Sequence, residues 1–98
     1  HEDEAYTEIF KEWAAETKAR IDMLKEMRVE LEAELADADA AKRDTTEVWG
    51  TYSQALRNLK FVRNDGTNGV HNNEYAMAIL ETVEADFKKA FIQLDSVW

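Results

Sequence analysis

An all-α fold is expected for this chain, an up-down-up antiparallel three-helix bundle with long first and third helices. The 98 residues contain no proline, so the strongest helix breaker is absent. Apolar residues recur at intervals of three and four through nearly the whole chain, which is the spacing of a helix face, and no strand-like alternation competes. Three such faces joined by short connections predict one helical domain, 1–98, with helices over about 3–38, 45–63 and 73–97.

The first predicted helix is the longest. Acidic residues at Glu2, Asp3 and Glu4 suit the positive end of its dipole. Its apolar stripe consists of Tyr6, Phe10, Trp13, Ile21, Leu24, Met27, Leu31 and Leu35, with Thr17 in the middle.

A polar turn precedes the second helix, and Asp44, Thr45 or Thr46 supplies its N-cap. Its apolar seam consists of Val48, Tyr52, Ala55, Leu59 and Val62. Its C-terminal part carries three basic residues that suit the negative end of the dipole and are expected to face the acidic first helix: Arg57, Lys60 and Arg63.

The third helix begins with Asn72 or Asn73 as its N-cap and has Glu74 in its first turn. Its stripe consists of Ala76, Ile79 or Leu80, Val83, Phe87, Ala90, Leu94 and Val97.

The predicted helices differ in length, roughly 54, 30 and 38 Å at 1.5 Å per residue. The second helix therefore covers only about half of the first, which leaves Tyr6, Ile9, Phe10 and Trp13 short of a partner. Three sources of cover remain open: the C-terminal run Phe91, Leu94 and Trp98 of a second copy in a homodimer, another part of a larger protein, or this chain's own helices.

Charge excludes some classes of partner. The formal net charge is −9, and 13 of the 21 acidic residues lie in residues 2–42. Such a surface disfavours nucleic acid and anionic membranes. No run of residues is apolar enough for membrane insertion. The chain has no cysteine, so it can form neither a disulfide nor a thioether bond to haem.

Carboxylate pairs four residues apart, Glu12–Glu16, Asp22–Glu26 and Glu30–Glu34, are read as a solvated helix face rather than as acid–base catalysts. The residues of a di-iron bundle and of a calcium-binding EF-hand are absent at the required spacing. Large aromatic residues at helical spacing are read as core. The chain is therefore not expected to be an enzyme by itself, and its core is expected to include Trp13, Trp49, Tyr52 and Trp98.

The most informative segment is 64–76, Asn-Asp-Gly-Thr-Asn-Gly-Val-His-Asn-Asn-Glu-Tyr-Ala, which holds two of the three glycines and the only internal histidine, His71. A histidine in a turn before a helix is most often a surface or capping residue. Alternatively, a neutral imidazole on such a turn can bind a metal, provided that the remaining ligands come from elsewhere.

This segment, followed by Ile79, Leu80 and Glu81, resembles the C-terminal part of periplasmic multihaem c-type cytochromes, including the ammonia-forming nitrite reductase group. In those proteins a Gly-Val-His-Asn turn opens a long helix. The stretch Glu4–Trp13 is similar to the segment that follows their last haem-binding motif. One difference is that Asn73 stands where the family commonly has proline.

The resemblance implies a helical domain that takes part in electron transfer indirectly, in the periplasm. His71 would be the distal axial ligand of a haem c bound by the rest of the parent protein, and the helices would supply subunit contacts. His1 is either the last histidine of a Cys-x-x-Cys-His motif or a purification-tag remnant. The alternative hypothesis is a helical protein–protein interaction module with no redox role.

Overall fold

Three α-helices account for almost all of the residues that the structure describes. The computed structural model describes residues 2–64 and 73–98, with the side chains of residues 7–9, 11–63 and 74–98. Helix α1 spans Glu2–Ala40, α2 spans Thr46–Asn64 and α3 spans Asn73–Val97. These bounds lie within two residues of those predicted. No strand occurs in the two described stretches, so the all-α class is confirmed.

One contiguous hydrophobic core joins the three helices, and α3 lies close to both of the others. The largest fully buried side chain in it, Phe87 of α3, stacks on Tyr52 of α2, with ring centroids 6.3 Å apart. The predicted stripes supply this core, as hydrophobic burial requires. The fully or nearly fully buried members include Ile21, Leu24, Leu31, Leu35, Val48, Ala55, Leu59, Val62, Ala76, Leu80, Val83, Ala90 and Leu94.

Side-chain contacts between α1 and α2 run in opposite directions along the two helices. Asp39 accepts a hydrogen bond from the indole of Trp49, and Glu32 accepts one from the hydroxyl of Tyr52. Residue numbers fall along α1 as they rise along α2, which is the pattern of antiparallel neighbours.

The contacts of α3 fit the same scheme. Glu47 near the start of α2 accepts a hydrogen bond from Gln93 near the end of α3, whereas Arg20 of α1 pairs with Glu84 of α3 at 3.3 Å. At the other end of α2, Phe61 packs edge-to-face on Tyr75, which lies close to the start of α3. These contacts are consistent with the predicted up-down-up order.

The C-terminus of α1 is capped by a backbone motif that could not be predicted from the sequence. The amide of Arg43 donates to the carbonyl of Ala38 and that of Lys42 to Asp39, while Lys42 has a φ of 60°. This is the pattern of a Schellman motif, in which the left-handed position is usually glycine. Lysine stands there instead.

Of the three residues predicted as candidates for the N-cap of α2, one uses its side chain to cap the helix. The carboxylate of Asp44 accepts a hydrogen bond of 3.1 Å from the amide of Thr46, the first residue of the helix. The side-chain hydroxyl of Thr46, followed by its backbone amide, lowers the pKa of Asp44 below its ordinary value. The side chain of Thr45 is buried and donates instead to Asp39, so Asp44 is the capping side chain.

The molecule is elongated, with principal dimensions of 61 × 18 × 17 Å. Helix α1 has 39 residues and α2 has 19, which correspond to about 58 and 28 Å of helix. Helix α1 therefore spans nearly the full length, and α2 accompanies about half of it. As far as the description extends, no helix is both long and apolar enough to cross a bilayer.

The expectation that the large aromatic residues all belong to the core needs correction. Tyr52 belongs to the core, but Trp49 and Trp98 are 39% and 59% exposed because they lie at the rim of the bundle. Gly50, next to Trp49, lies in open space, since a Cβ atom at this position would meet no atom within 4 Å.

Candidate functional site

The histidine that carries the resemblance, His71, lies outside the described residues, as does His1. The connection that contains His71 joins the end of α2 at Asn64 to the start of α3 at Asn73. Helix α3 thus begins two residues after the imidazole-bearing residue. The two helices on either side of this connection are both anchored in the core, through Val62 and Ala76.

The first part of α1 has little cover within the described structure. Among the side chains described on this helix, the first buried one is Thr17. Ile9 is 39% exposed and Trp13 is half-buried. The other two residues of the uncovered set, Tyr6 and Phe10, have side chains outside the description. The exposure of Ile9 agrees with the prediction, made from the lengths of the helices, that the first part of α1 is not covered by α2.

The cover suggested from a second copy's C-terminal run does not fit. Leu94 is only 2% exposed because it belongs to the core of its own chain. Phe91 is half-buried against the same core, and only Trp98 is exposed. A run with two of its three members already packed cannot bury another molecule's side chains as well.

A basic crevice lies between α1 and α2. It has a volume of about 200 Å³ and is lined by Lys18, Ile21, Asp22, Lys25 and Arg63. Lys18 donates to Asp22 at 3.0 Å, so Lys25 and Arg63 are the uncompensated charges. Within the described structure neither of these two forms an ion pair. Of the three basic residues expected to face α1, only Arg63 lines this crevice.

A hydrogen-bonded network links α1 to α2 further along. The Glu32 carboxylate accepts a hydrogen bond from the Tyr52 hydroxyl and another, of 2.9 Å, from Arg28 Nε. The Tyr52 bond, followed by the Arg28 bond, lowers the pKa of Glu32. Burial, followed by the same bond to Glu32, raises the pKa of Tyr52. The network keeps Glu32 ionised and Tyr52 protonated, which suits a structural link and not proton transfer.

Asp39 lies at the same interface, close to the turn that connects α1 to α2. It accepts hydrogen bonds from the Thr45 hydroxyl and, at 3.1 Å, from Trp49 Nε1. Trp49 packs edge-to-face on Tyr52 at 5.4 Å. Because the carboxylate has two donors and the indole has its acceptor, this group is satisfied and structural.

Acidic residues gather on the other side of α1, near the C-terminus. A shallow pocket is lined by Glu34, Asp37, Leu94, Asp95 and Trp98. Desolvation, followed by repulsion from Glu30, Asp95 and Asp37, raises the pKa of Glu34.

No cluster of His, Cys, Asp and Glu able to hold a metal ion occurs in residues 2–64 and 73–98. The carboxylates predicted to form a solvated face are exposed, although partial desolvation raises the pKa of one of them, Glu34. They are Glu12, Glu16, Asp22, Glu26, Glu30 and Glu34.

Both histidines of the chain, His71 and His1, lie outside the described residues, so the structure does not test either as a haem ligand. One imidazole can supply one axial bond, and a chain without cysteine forms no thioether link.

Comparisons with protein-family models, with curated proteins and with solved structures found no match to this chain.

Proposed function

We propose that this chain is the helical C-terminal domain of a periplasmic multihaem c-type cytochrome, and that His71 is an axial ligand of a haem bound by the rest of the parent protein. The observation that carries the proposal is the start of α3 at Asn73, two residues after His71. A long helix opening directly after a Gly-Val-His-Asn turn is the arrangement that the resemblance implies.

The role of the helices in this proposal is to hold an imidazole in position. Ala76, Leu80 and Val83 of α3 are buried, so the helix that follows His71 is fixed by the core rather than free to swing. An axial ligand supported by packed secondary structure keeps its orientation with less entropy lost on binding. The haem, when bound, would supply the redox chemistry, and its ligand and surroundings would tune the potential.

An up-down-up order, which we include in the proposal, places three features at one end of the bundle. They are the end of α2, the start of α3 and the poorly covered first part of α1. The haem-bearing part of the parent would then approach at the end that carries His71. In that position it would also cover side chains such as Ile9, which is 39% exposed here.

The proposal is tested in the haem-bearing parent protein. Replacing His71 by Ala is expected to convert one haem from low-spin to high-spin, seen in the visible absorption spectrum. Glu74→Gln is the matched control, because Glu74 is exposed in the first turn of α3 and should leave the spectrum unchanged. A spectrum identical to that of the unmodified protein in both variants would reject ligation by His71.

A helical protein–protein interaction module is the second candidate. The favouring observation is the strongly acidic first part of α1, where residues 2–16 hold six acidic side chains and one lysine, and where the described acids Glu8, Glu12 and Glu16 are exposed. This module would have no redox role. Reading the gene upstream of His1 separates the two candidates, because the cytochrome requires Cys-x-x-Cys-His motifs and the module does not.

A further inference from the structure

We propose that the basic crevice between α1 and α2 is a binding site for a short dicarboxylate, with one carboxylate on Lys25 of α1 and the other on Arg63 of α2. The ligand is a small molecule in which two carboxylate groups are joined by a short apolar chain. This inference goes beyond the proposed function and does not depend on haem ligation by His71.

The crevice is a basic patch on an acidic molecule. The whole chain has a formal charge of −9, whereas the crevice holds Lys18, Lys25 and Arg63 against a single acid, Asp22, a net charge of +2. A patch of this sign attracts a small anion, while the acidic remainder of the surface repels a polyanion such as nucleic acid. The charge therefore favours a compact ligand whose negative charge matches that of the crevice.

The two uncompensated cations stand on different helices. Lys18 donates to Asp22 at 3.0 Å, and within the described residues neither Lys25 nor Arg63 forms an ion pair. Both side chains are exposed, so an anion can reach them without any movement of the helices. A guanidinium group binds a carboxylate with two parallel hydrogen bonds, and an ammonium group binds it as a point charge. A ligand with two carboxylates can meet both walls at once, whereas one carboxylate leaves a cation unpaired.

An apolar side chain separates the basic groups of the crevice. Ile21 is part of the lining and is 6% exposed, and Lys25 lies four residues further along the same face of α1. The methylene groups of a short dicarboxylate can lie on this apolar floor. The oxygens of a phosphate would face it without a hydrogen-bond partner, which is unfavourable. The lining therefore favours a dicarboxylate over a compact anion of similar charge.

The size of the crevice limits the ligand. Its volume of about 200 Å³ is below the roughly 300–1,000 Å³ of pockets for drug-sized ligands. A four-carbon dicarboxylate such as succinate is of a suitable size. The lining begins at Lys18, so such a ligand leaves the first part of α1 free for the haem-bearing part of the proposed function.

The experiment is a nuclear magnetic resonance titration of the isotope-labelled 98-residue chain with succinate. A reference sample receives sodium chloride at the same ionic strength, because general screening of charge also shifts signals. We expect saturable shifts at the amides of residues 18–25 and at the side-chain Nε–H of Arg63. The dissociation constant should lie in the millimolar range, because exposed ion pairs each contribute little.

Two further anions test the number of carboxylates and the role of the chain between them. Butyrate has the same number of carbon atoms as succinate but only one carboxylate. Inorganic phosphate has a similar charge but no apolar part. Each should bind at least about threefold more weakly than succinate, the loss expected when one exposed ion pair or its equivalent is missing.

Variants of the crevice test the two contacts. Lys25→Gln/Arg63→Gln removes both, and succinate should bind to it at least about tenfold more weakly. The matched control is Lys88→Gln/Lys89→Gln, which makes the same change in net charge at two exposed positions on α3 that do not line the crevice. It should bind succinate as the unmodified chain does. All four replaced side chains are exposed, so circular dichroism should show the same helix content in each variant.

Three results would overturn the proposal: shifts no larger than those caused by sodium chloride, butyrate or phosphate binding as tightly as succinate, or normal binding by the crevice variant. The haem test is independent of all three. Saturable succinate binding with an unchanged spectrum for His71→Ala would keep this inference and reject haem ligation. Loss of the low-spin haem in that variant, with no succinate binding, would do the reverse.

Discussion

The hydroxyl of Tyr52 donates a hydrogen bond to the carboxylate of Glu32, and this bond ties the middle helix to the long first helix. Tyr52 is 3% exposed and stacks on Phe87, while Glu32 is exposed and also accepts a bond from Arg28. One side chain thus joins the hydrophobic core to the polar rim. Polar links of this kind join α1 directly to α2, beside the hydrophobic core that all three helices share.

Replacing Tyr52 by Phe should lower the free energy of unfolding by about 1 kcal/mol at pH 7, because the hydrogen bond is lost and the ring is kept. Urea denaturation followed by circular dichroism measures it. A double-mutant cycle with Glu32→Ala is the control, since the two changes should not be additive if they remove the same bond. Additive effects would mean that the bond contributes nothing to stability.

Glu32 should make stability depend on pH at the acid side. Its folded-state pKa lies below the ordinary value of 4.5, so its contribution is present above that value and is lost as the pH falls through the folded-state pKa. Unfolding of the unmodified chain and of Glu32→Gln, compared from pH 7 to pH 3, tests this. The unmodified chain should be the more stable at pH 7, with the gap closing below pH 4.5. A gap that grows on acidification would contradict the assignment.

Glu34, two residues further along α1, should behave in the opposite way. Its folded-state pKa is raised, first by desolvation and then by Glu30, Asp95 and Asp37, so its ionised form opposes folding. Its unfavourable contribution appears as the pH rises above the ordinary value of 4.5. Glu34→Gln should therefore stabilise the chain at pH 7, and the gain should fall in high salt. A loss of stability at pH 7 would contradict this reading.

Lys42 occupies a backbone conformation that favours glycine, with a φ of 60° in the Schellman motif after α1. Lys42→Gly should raise the free energy of unfolding by about 1 kcal/mol, because a side chain in the left-handed region is strained. Lys42→Ala is the matched control and should give no such gain, since alanine keeps the Cβ atom. Thermal unfolding of both variants gives the comparison, and equal melting temperatures would argue against strain at this residue.

Much of the fold could be predicted from the sequence because each helix shows its buried face as a simple period. Leu24, Leu59 and Phe87 are core residues for this reason, and their burial needs no knowledge of the tertiary structure. The end of α1 was harder to place, because Lys42 takes the position where glycine usually signals a helix end. Trp98 was predicted to belong to the core, yet it is exposed. An apolar period identifies one face of a helix, but it does not show where along that face the neighbouring helices end.

The candidate site was less predictable than the fold. The segment around His71 could be singled out from its glycines and from the resemblance, and the start of the helix that follows it, at Asn73, was predicted from the asparagine caps. The basic crevice could be predicted only in part, since Arg63 of α2 was expected to face α1 but Lys18 and Lys25 of α1 were not expected to meet it. Only the packing of the two helices brings these charges together.

The most direct test of the central proposal is chemical rescue in the haem-bearing parent protein. His71→Gly should remove one low-spin haem signal from the electron paramagnetic resonance spectrum, and free imidazole should restore it by filling the vacated axial position. A low-spin signal that survives the substitution without imidazole would contradict the proposal that this chain supplies an axial ligand to haem.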